Sequence, residues 1–306
     1  MRDINKFLGV MFAIGDALGS ATEFLTPDKF VPVKDFQRPK FRTNPGDYTD
    51  DTAQALCLAQ SLLDCGGFDI EDQLNKYLKW LSEGYMSSTN RAFIGLQTLD
   101  RLKYKQFKEG KLQNRPREED LSGQKKDGNG ALMKIPIPLF YAKDPEKALY
   151  YAGESCKAIH NTDLCISCAQ YFVLIIGAMN GVKKSGLQLF PYSPVEKRWD
   201  MYKIHPDLIS VVKGSYLNKE KSELTVYGYV LDSLEVALWF FNFDSFEEGM
   251  IEVVNLYDAD TNACLYGYLA GAYYGYDAIP ERWKTQVTNK ELLAQFAQSF
   301  YQHSMK

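Results

Sequence analysis

The sequence predicts an all-α fold. Apolar residues recur at i, i+3, i+4 and i+7 along most of the chain, no sustained two-residue alternation bounded by hairpin turns interrupts them, and two acidic clusters stand where helices should begin. A chain of 306 residues that is 45% hydrophobic and 24% charged can bury a sizeable core. No solenoid period and no linker composition breaks it, so residues 1–306 are read as one domain.

Ile4, Phe7, Leu8, Met11 and Phe12 mark a first helix, which the glycines of Gly15-Asp16-Ala17-Leu18-Gly19 are expected to stop. The polar, Pro-containing segment 27–45 reads as loop. Ala55, Leu56, Ala59, Leu62 and Leu63 give the face of a helix over 51–64, and the pattern returns over 68–80 after Gly66-Gly67. Residues 103–127, rich in Lys, Arg, Gln and Gly, read as a solvated insertion or a substrate-facing rim. Helical spacing resumes over 131–141, 145–158 and 164–180, whereas 181–221 carries a mixed pattern. Val230, Leu234, Ala237, Leu238 and Phe241 form another face, and 246–256 the next. Ala263, Gly267, Ala270, Gly271 and Tyr274 form the last, where small residues permit close helix contact.

The formal net charge of −4 and three scattered His lack the broad basic footprint of a general nucleic-acid binder, although a local basic strip stays open. Six Cys sit mostly in apolar stretches. Cys165-Ile166-Ser167-Cys168 has metal-ligand spacing, but no second pair or suitably placed His completes a zinc site. They read as packed thiols in a reducing compartment. The first residues have amphipathic spacing rather than a signal-peptide core, and the longest apolar run, 171–179, is too short to cross a bilayer. These features predict a soluble cytoplasmic monomer with no membrane partner.

Thr49-Asp50-Asp51-Thr52 precedes one apolar helical pattern, and Asp258-Ala259-Asp260-Thr261-Asn262 precedes another. Each can be a capping motif, since carboxylates are favoured at the positive end of the helix dipole. Capping normally needs one side chain, however, and each cluster offers two carboxylates and a hydroxyl. Crowded carboxylates resist ionising together unless a cation neutralises them. Oxygen-only donors select Mg²⁺, Mn²⁺ or Ca²⁺ over zinc, and neither cluster fits the twelve-residue EF-hand loop. Capping and metal binding both remain open from chemistry alone. Gly128-Asn129-Gly130, just ahead of a helical pattern, can turn free N–H groups toward an anion, but it is also an ordinary turn and helix-start signal.

Together, Gly15-Asp16-Ala17-Leu18-Gly19 with Glu23, Thr49-Asp50-Asp51-Thr52, Gly128-Asn129-Gly130-Ala131-Leu132-Met133, Gly228-Tyr229-Val230-Leu231-Asp232-Ser233-Leu234 and Asp258-Ala259-Asp260-Thr261-Asn262-Ala263 closely resemble the ADP-ribosylglycohydrolase family. The motifs stand in the family's order over residues 15–275, nearly the whole chain. The resemblance implies an all-α, roughly orthogonal multi-helix fold with a binuclear Mg²⁺ or Mn²⁺ cleft. It further implies a hydrolase that cleaves the glycosidic bond at C1″ of ADP-ribose on an acceptor, foremost a protein arginine, releasing ADP-ribose. Two metals are then expected between Thr49, Asp50 and Asp51 on one side and Asp258, Asp260 and Thr261 on the other. Asp50, Asp51, Asp260 and Glu23 are the implied catalytic residues, Glu23 as ligand or movable gate. Gly128, Asn129, Gly130 and Met133 are implied around the pyrophosphate, with Tyr229 as an adenine platform beneath room left by Gly228. His160 matches a segment whose His faces the nucleotide, against a capping or structural role.

The chain departs from the family pattern where Ser87-Ser88-Thr89-Asn90-Arg91 replaces an acidic turn. It departs again at Lys134, where Arg is common and a bidentate contact becomes a point charge. Two other readings stand beside the leading one. The first is an inactive ADP-ribose-binding relative, and the second a hydrolase for serine-linked, nucleic-acid or metabolite ADP-ribose.

Overall fold

A computed structural model describes residues 3–12, 14–23, 25–39, 43–89, 91, 127–179 and 204–306. The first helix, α1 (Ile4–Met11), is capped by Asp3, whose carboxylate accepts from the Asn5 N–H. The glycines after it do not end helical structure. They form a second helix, α2 (Ile14–Gly19), every residue of which is buried. Glycine disfavours an isolated helix, but here it permits a backbone approach that no larger residue allows, and packing outweighs propensity.

Helices α3 (Asp50–Cys65) and α4 (Ile70–Glu83) follow, and Gly66 and Gly84 close them in the left-handed conformation. Residues 129–131 form only a 3-10 turn, and the helix expected over 131–141 is confined to α5 (Pro136–Tyr141), since Pro136 and Pro138 suit a first turn. Then come α6 (Pro145–Lys157), α7 (Asp163–Ala178), the short α8 (Ile209–Val212), α9 (Val230–Phe240) and α10 (Phe246–Val253). The chain ends with α11 (Ala259–Tyr274), α12 (Glu281–Gln286) and α13 (Lys290–Met305). The last two go beyond the sequence reading, although Leu293, Phe296, Ala297 and Phe300 have helical spacing and are all buried. Among the described residues there is no sheet, only an isolated antiparallel bridge between Gly128 and Tyr229. The segment 27–45 is irregular where described apart from a 3-10 turn at Pro27–Lys29. Residues 103–126 and 181–203 lie outside the described residues, with the readings made there.

Helix α11 is the hub. It packs chiefly on α1, α2, α9 and α10, with further contacts to α3 and α7, and is buried almost all round. That is why its apolar residues show no single face. Close approach is set by glycines: a Cβ on Gly19 would lie 2.5 Å from the Ala259 carbonyl oxygen and 2.6 Å from Asp260 Cα, and Gly9 and Gly271 abut each other's backbones. Helix α13 closes the bundle against α1 and α5, with Tyr301 edge-on to Phe7 at 5.9 Å and Phe300 edge-on to Tyr141 at 6.0 Å. All six Cys are free thiols, and five are buried. Cys65 is exposed at the end of α3, a correction to the expectation that the thiols are packed. No helix among the described residues is long and apolar enough to cross a membrane.

Candidate active site

Two helix N-termini meet at the hub. Thr49 is the N-cap of α3 and Asp258 the N-cap of α11, yet neither makes a side-chain capping bond to its own helix. Neither residue thus serves as a side-chain cap, while Asp50, Asp51 and Asp260 stand in first turns, where the helix dipole favours carboxylates. For α3 the work is done by Asp16, on α2. Its carboxylate accepts from the Thr49 N–H at 2.9 and 3.1 Å, the Thr52 N–H at 2.9 Å and the Thr49 hydroxyl at 2.7 Å. Asp258 holds φ +53° and ψ +47°, a left-handed conformation that Asp tolerates better than most residues.

The clusters join directly. Thr261 Oγ1 donates to Asp51 Oδ1 at 3.3 Å across 210 residues of sequence. Asp50, Asp51, Asp258, Asp260, Thr49 and Thr261 are all buried, with Glu23 beside them. Burial drives each of these carboxyl shifts, and like charge adds to those of Glu23, Asp51 and Asp260. Glu23 is pushed up to about 12 by burial and then by Asp260 and Asp50. Asp258 rises to about 6 through burial, against the pull of its bond from Asn129. Asp51 and Asp260 are raised well above the usual carboxylate range by burial and by neighbouring carboxylates.

Among the described residues, no three His, Cys, Asp or Glu groups are gathered closely enough to clamp one ion. The donor set nevertheless fits a hard cation. It is all oxygen, and Glu23 Oε2, Asp51 Oδ2 and Asp260 Oδ1 are buried without a hydrogen-bond partner.

The glycine motifs are zipped together beside this cluster. The Asn129 N–H donates to the Gly228 carbonyl at 3.0 Å, and the Val230 N–H to the Asp127 carbonyl at 2.9 Å. The expectation of a free N–H at Asn129 is therefore corrected. Its side chain is fully buried and donates to Asp258 Oδ2 at 2.7 Å and Ser233 Oγ at 3.1 Å, tying this turn to the second acidic cluster. Gly228 is required by its φ of +77°, which is a stronger reason for glycine than clearance over a ring. Tyr229 is half-buried at the N-cap of α9, next to both turns.

Other predicted residues stand further in. Gly130 is buried in the 3-10 turn, its carbonyl taken by Lys134 Nζ at 2.7 Å. Lys134 is fully buried, reaching Gln54 Oε1 at 3.4 Å and the Tyr77 ring at 5.7 Å, so it points into the fold rather than toward an anion. Met133 is buried, and its carbonyl accepts from the Tyr268 hydroxyl at 2.6 Å on α11. His160 is fully enclosed at the α6–α7 joint. It does not cap α7, where Thr162 accepts from the Cys165 N–H at 3.2 Å. Asp16 is the residue that site reasoning missed. The signal lay in the Gly15-Asp16 motif itself, because a carboxylate between glycines on a buried helix must answer to donors elsewhere.

A family model described as ADP-ribosylglycohydrolase matches residues 2–306. The chain belongs to the ADP-ribosylglycohydrolase family, whose members are hydrolases. It is 30% identical to the ADP-ribosylarginine hydrolase Tri1 of Serratia proteamaculans (strain 568), covering 98% of this chain and 80% of that protein. It is 27% identical to the ADP-ribosyl-[dinitrogen reductase] glycohydrolase of Rhodospirillum rubrum, covering 94% and 91%. A solved ADP-ribosylglycohydrolase-related protein complex superposes with a TM-score of 0.79 at 30% identity over 99% of each chain. The family thus accounts for the order of the motifs that the fold brings together.

Proposed function

We propose that this ADP-ribosylglycohydrolase is a cation-dependent enzyme that removes ADP-ribose from protein arginine. The observation that carries this reading is the convergence of two acidic helix N-termini around three buried, unpartnered carboxylate oxygens, on Glu23, Asp51 and Asp260. The relative named as an ADP-ribosylarginine hydrolase supports arginine as the acceptor. The family model's span over 2–306 supports one domain.

Thr49, Asp50 and Asp51 would hold one side of a pair of Mg²⁺ or Mn²⁺ ions, and Asp258, Asp260 and Thr261 the other. When bound, the ions supply positive charge that neutralises the carboxylates and polarises ribose hydroxyls and water. Asp50 or Asp51 orients the attacking water and takes its proton. Asp260 and Glu23 are the carboxyl groups that would stabilise the oxocarbenium character developing as the bond to the acceptor lengthens. Asn129 keeps Asp258 in register by its 2.7 Å bond. Gly128 and Gly130 leave the turn bare of side chains for the pyrophosphate, and Tyr229 offers its ring to the adenine.

The test is release of ADP-ribose from arginine-linked, serine-linked and nucleic-acid-linked substrates, with Mg²⁺ and with chelator. Arginine-linked release that the chelator abolishes, falling at least about 10²-fold in Asp51→Asn and Asp260→Asn, is the expected result. Near-wild-type rates in both variants, or release in the presence of chelator, would overturn the mechanism. Binding of ADP-ribose with no release from any substrate would favour a binding module instead.

A further inference from the structure

Asp16 lies outside the proposed ligand set, yet it is fully buried and accepts from donors at both Thr49 and Thr52. Two of those donors are the backbone N–H groups of Thr49 and Thr52, at the start of α3. The side chains of Thr49 and Thr52 donate as well, the Thr49 hydroxyl at 2.7 Å. A hydroxyl has one proton, and Thr49 Oγ1 commits it to Asp16. What that oxygen can show on its other side is lone pairs alone. A hard cation needs this polarity, since a hydroxyl that turns its proton toward the ion is repelled by it. The short bond to a carboxylate also polarises the O–H and enriches the oxygen in electron density.

The second side of the cluster follows the same logic with a difference. Thr261 Oγ1 donates to Asp51 Oδ1 at 3.3 Å, but Asp51 is itself a proposed ligand and must divide its oxygens. Asp16 lies outside that ligand set and keeps both its oxygens for the 49–52 turn. Its position is enforced by Gly15 and Gly19, which seat α2 directly on the backbone of α11, so one carboxylate refers the α3 turn to the helix that carries the other acidic cluster.

We infer that Asp16 is a positioning residue for the proposed cation site, fixing the proton of Thr49 away from the ion and the 49–52 turn against α11. The inference rests on the metal reading above. A plain structural cap would lower stability when lost and leave cation affinity in proportion; a residue that sets the polarity of a ligand lowers affinity beyond any loss of stability.

Mn²⁺ titration of the full chain by calorimetry, with melting in chelator as the structural control, tests it. Asp16→Asn keeps the shape but turns an amide donor toward N–H groups. It is expected to weaken Mn²⁺ binding about 10–100-fold, as loss of a ligand's outer partner does. Thr49→Val should weaken binding to a similar degree while Thr49→Ser binds like wild type. The double variant Asp16→Asn/Thr49→Val should lose less than the product of the two single losses, because the polarity that Asp16 imposes is exerted through the oxygen that Thr49→Val removes. Wild-type affinity in a folded Asp16→Asn, or losses that multiply in the double variant, would refute the inference. Thr49→Val leaves the backbone bonds of Asp16 in place, so wild-type affinity in that variant refutes it too, even if Asp16→Asn does not fold. Wild-type protein that binds no Mn²⁺ sinks the metal reading itself, a different failure from binding that ignores Asp16 and Thr49.

Discussion

Replacing Gly19 by alanine should damage the site without touching a functional side chain. The added Cβ would stand 2.5 Å from the Ala259 carbonyl oxygen and 2.6 Å from Asp260 Cα, where unstrained contact needs about 3.5 Å. Both neighbours are backbone, so neither can rotate aside, and α2 and the start of α11 must part by about 1 Å. Overpacking of this kind costs about 1–3 kcal/mol, a fall of a few degrees in Tm for a chain of this size. One of the displaced atoms belongs to Asp260, so the shift is delivered to the proposed ligands, where a misplacement of about 1 Å can cost about 10²-fold in rate. Melting in chelator, Mn²⁺ titration and turnover of arginine-linked ADP-ribose read the three consequences. Gly177→Ala on α7 is the control, since its Cβ meets only Leu139 at an ordinary 3.5 Å, and it should be neutral or mildly stabilising. If Gly19→Ala melts, binds Mn²⁺ and turns over like Gly177→Ala, the close approach of α2 to α11 does not position the site.

Three further outcomes follow from the same geometry. Asp258 is raised in the fold to about 6 from an ordinary 3.8, so its protonated form stabilises the fold below about pH 4 and that stability is lost as pH rises through 6. In chelator, Tm should rise on going from pH 7 to pH 5, and Asp258→Asn should remove part of that slope, worth about 1.4 kcal/mol over this range because only about one pH unit of it lies below the folded pKa. Saturating Mg²⁺ should flatten it, and identical slopes in all three samples would contradict the assignment. Asn129→Ala removes the donor to Asp258 and Ser233 and should cost about 1–3 kcal/mol in a denaturant melt, where an unchanged midpoint would count against the bond. Tyr229→Ala should raise KM for ADP-ribosylated substrates, the loss of one stacked base being worth about 1–3 kcal/mol. Mn²⁺ affinity should stay as it was, and an unaltered KM would remove Tyr229 from the adenine site.

Much of the helical fold was legible because its faces repeat at 3.6 residues, as in α3, α6 and α9. Departures occur where the local signal and the tertiary contact disagree. Gly15 and Gly19 read as breakers and instead make α2 possible, because α11 rewards a bare backbone. Lys134 read as a group that faces a ligand, but it is fully buried, and the Gly130 carbonyl and Gln54 provide inward partners. No spacing rule could have found Asp16, since its partners lie 33 and 36 positions away.

By itself, the sequence determined the oxygen-rich chemistry of two clusters, their place at helix starts and the order of motifs that marks the family, because these depend on residue type and local spacing. Only the tertiary structure decided that the clusters meet, that Asp16 rather than Thr49 satisfies the α3 terminus, and that Asn129 turns inward to Asp258. Those facts depend on which buried donor reaches which buried acceptor across the fold, and desolvation enforces such pairings only after the helices have packed.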